Sequence, residues 1–172
     1  MVFQEPMSAL NPLLRVGEQI DETLRAHGVA SARVRRQRVV DLLGYVGLPE
    51  PERLRLAYPF ELSGGQRQRV VIAMALAFDP ALLIADEPTS ALDVTTQAQI
   101  LDLLRKIQQD KGMALLFITH DFAVVEAIAD RVLVLEKGRV VEQGTAPAVL
   151  RVPRENYTRQ LLAAVSAQPL VP

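Results

Sequence analysis

The 172-residue sequence contains no cysteine, and this absence excludes several kinds of site at once. Without thiolates the chain forms no disulfides and offers no thiolate ligands for zinc or for iron–sulfur clusters. Long hydrophobic runs are missing too. The longest one, Val70–Phe78, has nine residues, whereas a membrane-spanning helix needs about 20. The N-terminus also lacks the layout of a signal peptide, so we expect any role at a membrane to depend on a partner.

The chain also lacks an excess of charge of one sign. Lys and Arg together number 19, Asp and Glu number 20, and the formal net charge is −1. No overall basic field is available to recruit nucleic acid or acidic lipid, so we expect no nucleic-acid partner. The hydrophobic share of 49% and the charged share of 23% are ordinary for a globular protein.

Hydrophobic periodicity divides the chain into predicted helices and strands. Met1–Phe3 is predicted to end a strand, Gln4–Pro12 to form a loop, and Pro49–Pro59 to be rich in turns. The predicted helices, with Ser31 and Ser63 as N-caps, are Leu13–His27, Arg33–Val46, Ser63–Phe78, Thr95–Gln109, Asp121–Ala129, Ala146–Leu150 and Glu155–Val165. The predicted strands are Leu82–Ala85, Ala114–Ile118, Arg131–Glu136 and Arg139–Glu142, the last two joined by a hairpin turn at Lys137-Gly138. This alternation predicts an α/β layered domain with a largely parallel sheet, and a separate helical lobe before Ser63.

Two adjacent acids, Asp86 and Glu87, end the apolar run in the segment ALLIADEPTSALD. Ligands of parallel α/β folds usually bind at the carboxyl edge of the sheet, where these side chains are expected. Adjacent carboxylates suit a divided task, in which one holds Mg²⁺ and the other accepts a proton from an attacking water. The alternative is a strand that happens to end in acids.

A glycine pair opens the helix that follows Leu62, in the sequence Ser63-Gly64-Gly65-Gln66. Glycines at a helix start let an anion approach the backbone, and the helix dipole favours phosphate there. The alternative is a glycine-rich cap on a core helix. The pair is not a phosphate-binding loop of the form G-x-x-x-x-G-K-[ST], because no Lys-Ser or Lys-Thr follows.

Two further polar residues are candidates for the same chemistry. His120 follows the strand Ala114–Ile118 and could contact a γ-phosphate or polarise a water, although a lone histidine is more often structural. Gln4 follows the apolar stub and could orient water or magnesium, although a single glutamine is weak evidence.

Together these segments resemble the ATP-binding subunits of ABC transporters. LSGGQRQR at Leu62–Arg69 resembles their signature motif, LLIADEPTSALD at Leu82–Asp93 their Walker B motif and D-loop, Gln4 their Q-loop, and His120 their switch histidine. The resemblance implies a partial P-loop NTPase core of RecA-like α/β fold, with a mainly parallel sheet and an inserted α-helical subdomain. It divides the chain into the strand end and Q-loop start (1–4), the helical subdomain (5–60), the ATPase core with the signature helix, Walker B, D-loop and switch histidine (61–150) and a C-terminal helical extension (151–172).

The resemblance also implies roles for single residues. Asp86 and Gln4 would help to hold Mg²⁺, Glu87 would be the general base on water, and His120 would contact the γ-phosphate of ATP. In this family two ATP molecules lie between two subunits. Residues of the signature motif would close on the ATP held by the opposite subunit, and a D-loop acid would lie at the dimer interface. These residues are Ser63, Gly64, Gly65, Gln66 and Asp93.

The resemblance extends to a subfamily. Phe3–Pro12 resembles the Q-loop of the ATPases of dipeptide, oligopeptide and nickel importers, and Asn156–Val165 resembles their tail. This implies an ABC permease and a second ATP-binding subunit as partners, and indirectly a solute-binding protein. It also implies a peripheral location on the cytoplasmic face of the bacterial inner membrane. Many members carry a cysteine cluster beyond the tail, and because this chain has no cysteine we infer no iron–sulfur site.

One departure from the family pattern affects activity. Complete members carry the phosphate-binding loop and an adenine-stacking aromatic before the Q-loop, and this sequence has neither. We therefore expect a C-terminal portion of such a subunit, inactive in isolation, with edges exposed on Ala114–Ile118 and Val132–Leu135 or with these strands paired directly. Two other hypotheses stay open: a soluble ABC ATPase of translation or DNA repair, and a non-catalytic regulator of transporter assembly.

Overall fold

The computed structural model describes residues 1–2 and 4–166, and these form two compact units divided after Ile118. The helices of the first unit are α1 (Pro6–Ala9), α2 (Val16–Ala26), α3 (Ala32–Tyr45), α4 (Pro51–Leu54), α5 (Gly64–Leu76) and α6 (Val94–Lys111), with a 3-10 turn at Pro59–Glu61. Its strands are β1 (Leu82–Asp86) and β2 (Ala114–Ile118). The second unit contains α7 (Phe122–Ile128), β3 (Arg131–Glu136), β4 (Arg139–Thr145), α8 (Ala146–Arg151) and α9 (Asn156–Ser166).

The sheet of the first unit is parallel, as predicted. β1 and β2 pair from Leu82 with Ala114 to Asp86 with Ile118. Val2 adds a parallel bridge to the other side of β1, where its N–H donates to the Ile84 carbonyl at 2.8 Å. The predicted strand end is therefore confirmed at Val2, whereas Phe3 lies outside the described residues.

Helices supply most of the core of the first unit. α5 contacts α1, α2, α3 and α6, so the helix that follows Ser63 packs against both the helical lobe and α6. The fully buried side chains include Ile20, Leu24, Leu43, Ile72, Leu83 and Ile100. On α2 they recur at helical spacing, at Ile20 and Leu24, which is why hydrophobic periodicity located that helix in the sequence.

The second unit is built on the predicted β-hairpin. β3 and β4 pair antiparallel from Arg131 with Thr145 to Glu136 with Arg139. Lys137 and Gly138 have φ values of 50° and 78°, the left-handed conformation that two-residue hairpin turns require. The register shifts between Val134 and Leu135, which marks an irregularity in the ladder.

The structure corrects several predicted boundaries. Gln4–Pro12 and Pro49–Pro59 were predicted without helix, yet they contain α1 and α4, each beginning at a proline. Proline suits the first helical position because its fixed φ matches the helix and the missing N–H is not needed there. The predicted α5 extends to Phe78, but the helix ends at Leu76. The last six residues of the predicted extension, 167–172, lie outside the described residues.

The edge prediction holds for β2 within its own unit. Among the described residues of that unit, only β1 pairs with β2, and Leu116 and Ile118 are 44% and 45% exposed. In residues 1–2 and 4–166, no helix combines the length and the apolar character needed to cross a membrane.

Candidate functional site

The two predicted acids lie where β1 ends. Asp86 is the last residue of the strand, and its N–H donates to the Val2 carbonyl at 2.9 Å. Both Asp86 and Glu87 are half-buried. Gln4, which is exposed, lies two residues after the bridge that Val2 forms with β1. That Gln4 acts together with the two acids stays a prediction.

Glu87 has a backbone conformation that the sequence did not predict. Its φ is 45°, in the left-handed region that non-glycine residues rarely adopt. The Glu87 N–H donates to the Ile118 carbonyl at 2.9 Å, and its own carbonyl accepts from the Ser90 N–H at 3.3 Å and the Ser90 Oγ at 3.1 Å. Strain of this kind persists where the surroundings hold it, and it is common at functional sites.

The first turn of α5 carries the predicted phosphate-facing residues. Ser63 is the N-cap: its Oγ accepts from the Gln66 N–H at 3.3 Å, and the Gln66 Oε1 accepts from the Ser63 N–H at 3.0 Å. This reciprocal capping box fixes the entry to the helix. The N–H groups of Gly64 and Gly65 belong to the first turn, which has no intrahelical acceptors, so an anion could bind them.

Asp93 caps the start of α6. Its Oδ1 accepts from the Thr96 N–H at 3.0 Å, and its Oδ2 accepts from the Thr96 hydroxyl at 2.6 Å. The Thr96 hydroxyl, and then the Thr96 N–H, lower the pKa of the Asp93 carboxyl, because both bonds favour its ionised form. Asp93 therefore stays negatively charged at the exposed end of the turn.

The structure brings the starts of α5 and α6 into direct contact. A Cβ added to Gly65 would lie 2.4 Å from the Thr96 Cγ2, which is closer than non-bonded carbon atoms approach in proteins. A Cβ added to Gly64 would lie 3.4 Å from the Leu92 Cδ2. Gly65 therefore has a packing role besides the phosphate-facing role predicted from the sequence, since only glycine fits against Thr96.

His120 belongs to the second unit. It is exposed and lies in the turn before α7, where the Asp121 Oδ1 caps the helix by accepting from the Ala123 N–H at 2.9 Å. The Asp121 N–H in turn donates to the Thr119 Oγ1 at 3.0 Å. The position of His120 relative to Asp86 and Glu87 stays a prediction. So do the roles of all the site residues.

The donor set at the end of β1 fits part of a magnesium–nucleotide site. Magnesium is commonly bound through one or two carboxylates while substrate phosphates and water supply the other oxygens. Asp86 offers one such carboxylate. In residues 1–2 and 4–166, no group of three or more His, Cys, Asp or Glu side chains is placed to bind a metal ion by itself. The site therefore fits a metal that arrives with phosphate better than a metal held by protein alone.

Two polar features around α5 were not predicted from the sequence. Gln68 is fully buried, and neither its Oε1 nor its Nε2 has a hydrogen-bond partner in the part of the chain that the structure describes. The Arg69 guanidinium donates to the Val46 carbonyl at 2.5 Å and so ties α5 to the end of α3. No sequence pattern indicates either feature. The bonds of Thr96 to Asp93 were also not predicted, although the capping spacing Asp-x-x-Thr indicates them.

Comparison with known proteins gives consistent results. Residues 1–90 match the family model described as ABC transporter. The chain is 57% identical over 164 residues to the peptidoglycan transport ATP-binding protein YejF of Agrobacterium fabrum, covering 95% of the chain and 30% of that protein. It is 52% identical to the dipeptide transport ATP-binding protein DppD of Escherichia coli, covering 96% of the chain and 50% of that protein.

A solved structure of the ATP-binding cassette MJ0796, in a dimeric post-hydrolysis state bound to ADP and Pi, superposes with a TM-score of 0.71. The sequences are 37% identical, and the match covers 84% of this chain and 61% of that one. The chain thus spans half or less of the length of the two curated relatives named above. Because the family model covers more than half of its residues, the chain belongs to the ABC transporter family.

Proposed function

We propose that the chain is part of an ATP-hydrolysing subunit that energises an ABC importer of peptides or nickel. One observation carries the proposal: the Asp86-Glu87 pair, the glycine-led start of α5 and the Asp93 turn all belong to one compact unit. The names of the relatives favour peptides, since they include a dipeptide transport protein and a glutathione import protein of Escherichia coli.

The acids at the end of β1 have different proposed tasks. Asp86, with Gln4, would help to hold Mg²⁺, which when bound supplies positive charge that neutralises the phosphates of ATP. Glu87 would be the general base and accept a proton from the attacking water, a role that typically contributes about 10²–10⁴-fold to the rate. The hydrogen bonds of the Glu87 backbone to Ile118 and Ser90 support this role, because they hold the residue in its strained conformation.

The remaining site residues would act at a subunit interface. Ser63, Gly64, Gly65 and Gln66 would close on the γ-phosphate of an ATP held by a second ATP-binding subunit. Asp93 would lie at the same interface, and His120 would contact the γ-phosphate of the subunit's own ATP. The Gly64 and Gly65 N–H groups, which have no intrahelical acceptor in the first turn of α5, support the first of these roles, because they favour an anion.

The sequence has no G-x-x-x-x-G-K-[ST] segment to hold the β- and γ-phosphates, so we propose that the 172-residue chain alone neither binds Mg-ATP tightly nor hydrolyses it. Titration calorimetry should show no binding in the micromolar range, and a phosphate-release assay should show no turnover. Stoichiometric micromolar binding by the chain alone would refute this part of the proposal.

The role of Glu87 is tested in a cassette completed with a phosphate-binding-loop segment from a family member. Glu87→Gln should leave ATP binding intact and nearly abolish hydrolysis, since it removes the base and keeps the shape of the side chain. Glu126→Gln is the matched control, because Glu126 is exposed and its side chain forms a surface ion pair with Arg151 at 3.7 Å, which contributes little. Equal hydrolysis by the Glu87 variant and its parent would show that Glu87 is not the base.

We also propose that Gln4–Tyr58 docks on the permease, with Gln4 reporting the nucleotide state while the helices of the lobe move together. The subunit would then be peripheral, on the cytoplasmic face of the inner membrane, and would meet the solute-binding protein only through the permease. An open groove of about 550 Å³ beside α2 supports a docking role. Its charged lining residues are Arg15, Glu18, Asp21, Glu22, Arg25, Arg36 and Arg55.

The absence of native cysteine makes a crosslinking test of this docking clean. Single cysteines placed along Glu5–Glu18 in the completed cassette should crosslink to a cytoplasmic segment of the permease. Cysteines in Tyr157–Ala164 serve as the comparison set. If only the second set crosslinks in an assembled transporter that still hydrolyses ATP, the docking assignment is wrong.

A further inference from the structure

We propose that Thr96 is a positioning residue that couples the turn ending at Asp93 to the first turn of α5, so that a shift in one moves the other. Nothing in the proposed function assigns a role to Thr96. The inference depends only on contacts within the first unit and stands whether or not the chain binds nucleotide.

The hydroxyl side of Thr96 belongs to the Asp93 turn. The Thr96 Oγ1 donates to the Asp93 Oδ2 at 2.6 Å, and the Thr96 N–H donates to the Asp93 Oδ1 at 3.0 Å. Both oxygens of one carboxylate therefore contact one residue. Charge-assisted bonds of this length are stronger than neutral ones, so they fix the orientation of the Thr96 side chain.

The methyl side of Thr96 belongs to α5. The Thr96 Cγ2 occupies the space where a Gly65 side chain would begin, 2.4 Å from the position of an added Cβ. The backbone of the first turn of α5 therefore rests directly on this methyl group. The neighbouring Gly64 is less constrained, because the Leu92 Cδ2 lies 3.4 Å from the position of a Cβ added there.

The coupling follows from the stereochemistry of threonine. Its hydroxyl and methyl are attached to the same Cβ, and a β-branched side chain in a helix has few accessible χ1 rotamers. A rotation that carries the hydroxyl after a displaced Asp93 must also move the methyl away from Gly65. Thr96 cannot keep one contact and release the other, so the two turns share one rotamer.

Two substitutions separate the two halves of the side chain. Thr96→Val keeps a methyl group against Gly65 and removes the hydroxyl bond to Asp93. Thr96→Ser keeps the hydroxyl and removes the methyl. Thr95→Val is the matched control, because Thr95 is the exposed neighbour in the same turn of α6.

Amide hydrogen exchange in the 172-residue chain, measured by NMR, reports on each turn separately. The Arg67 N–H, bonded to the Ser63 carbonyl at 2.9 Å, reports on α5. The Leu92 N–H, bonded to the Thr89 carbonyl at 3.2 Å, reports on the Asp93 turn. Amides in the middle of α3 report on global unfolding and serve as the reference.

Coupling predicts that each Thr96 substitution speeds exchange at both reporters, by about threefold or more relative to α3, while Thr95→Val changes neither. If Thr96→Val speeds only the Leu92 amide and Thr96→Ser only the Arg67 amide, the contacts are independent and the proposal is wrong. If one variant unfolds, the other is a sufficient test. Thr96→Val keeps the contact reported by the Arg67 amide, and Thr96→Ser keeps the contact reported by the Leu92 amide.

Discussion

At the residue scale, position 65 requires glycine because a neighbouring side chain leaves no room for a Cβ, and not because of the backbone angles. Its φ is not in the left-handed region, and it lies in the first turn of α5. The constraint comes from Thr96, whose methyl group lies in the space a side chain would need. Gly64, one residue earlier, has more room, with an added Cβ at an ordinary contact distance from Leu92.

We predict that Gly65→Ala lowers the free energy of unfolding by about 1–2 kcal/mol, because a clash of this kind costs about 1–3 kcal/mol and exceeds the gain of up to ~1 kcal/mol in helix propensity. Urea denaturation of both variants measures the difference. Gly64→Ala is the control and should be neutral or slightly stabilising. Adding Thr96→Ser to Gly65→Ala should recover part of the loss, and a strictly additive double variant would contradict the clash.

Gln68 places a polar amide in the core, on α5. Its side chain is fully buried and both polar atoms lack partners among the described residues. An unpaired buried polar group costs about 1–3 kcal/mol, and methionine has a similar length without that cost. We therefore expect Gln68→Met to raise the free energy of unfolding by about 1 kcal/mol in urea denaturation, while Gln99→Met on the exposed face of α6 changes it little. A clear loss of stability would show that the amide is paired.

At the scale of elements, α9 depends on a carboxylate from β4. The Glu142 Oε1 accepts from the Arg154 N–H at 2.9 Å, and the Glu142 Oε2 accepts from the Glu155 N–H at 3.1 Å. These N–H groups lie just before the first turn of α9, so Glu142 acts as a distant cap for it. The buried Thr158 hydroxyl also favours the ionised carboxylate, although its oxygen lies outside hydrogen-bonding geometry.

This cap predicts a dependence on pH. The Arg154 N–H, followed by the Thr158 hydroxyl and the Glu155 N–H, lowers the pKa of the Glu142 carboxyl below its ordinary value. A carboxyl whose pKa is lower in the folded state stabilises the fold above its unfolded pKa, and this contribution is lost as the pH falls through the folded pKa. Docking of α9 should therefore weaken only in acid, below the ordinary range of glutamate.

Glu142→Gln should release α9 at neutral pH as acid does in the parent. Trypsin should cleave faster after Arg151 and Arg154, and exchange of the Arg154 and Glu155 amides should accelerate and lose its acid dependence. Glu155→Gln is the matched control, because it removes a neighbouring charge but keeps the Glu155 N–H bond. Unchanged cleavage in the Glu142 variant would show that α9 is held by other contacts.

At the scale of the whole molecule, β2 is an edge strand of the first unit and could pair with another copy of the chain. β2 is paired on one side by β1, and Leu116 and Ile118 are 44% and 45% exposed. An apolar strand with an unpaired edge is a template for pairing with another chain.

We predict that the isolated chain self-associates with increasing concentration, and that Leu116→Lys with Ile118→Lys suppresses this. Charged side chains on an edge strand oppose pairing and reduce the exposed apolar area. Light scattering on a sizing column measures the mass. Leu13→Lys is the control, because Leu13 is 83% exposed but lies outside the strands. If the control reduces association equally, the β2 edge is not responsible.

The sequence by itself determined the features that depend on residues close together in the chain. β2 has the predicted bounds, Ser31 and Ser63 cap the helices that they were predicted to cap, and Lys137-Gly138 forms the hairpin turn. Each depends on periodicity or on hydrogen bonds over three or four residues, which the sequence shows directly. The short helices α1 and α4 were missed because a proline signals a turn and a first helical position equally well.

The tertiary structure alone decided the features that join distant segments. The fit of Gly65 against Thr96, the bond from Glu87 to Ile118, the burial of Gln68 and the cap from Glu142 to α9 are examples. The two partners of each contact lie about 12 or more residues apart in the chain. The burial of Gln68 and the backbone angle of Glu87 depend on packing that no local pattern encodes. The motifs therefore predict the chemistry of the site, whereas the contacts between motifs depend on atoms that only folding brings together.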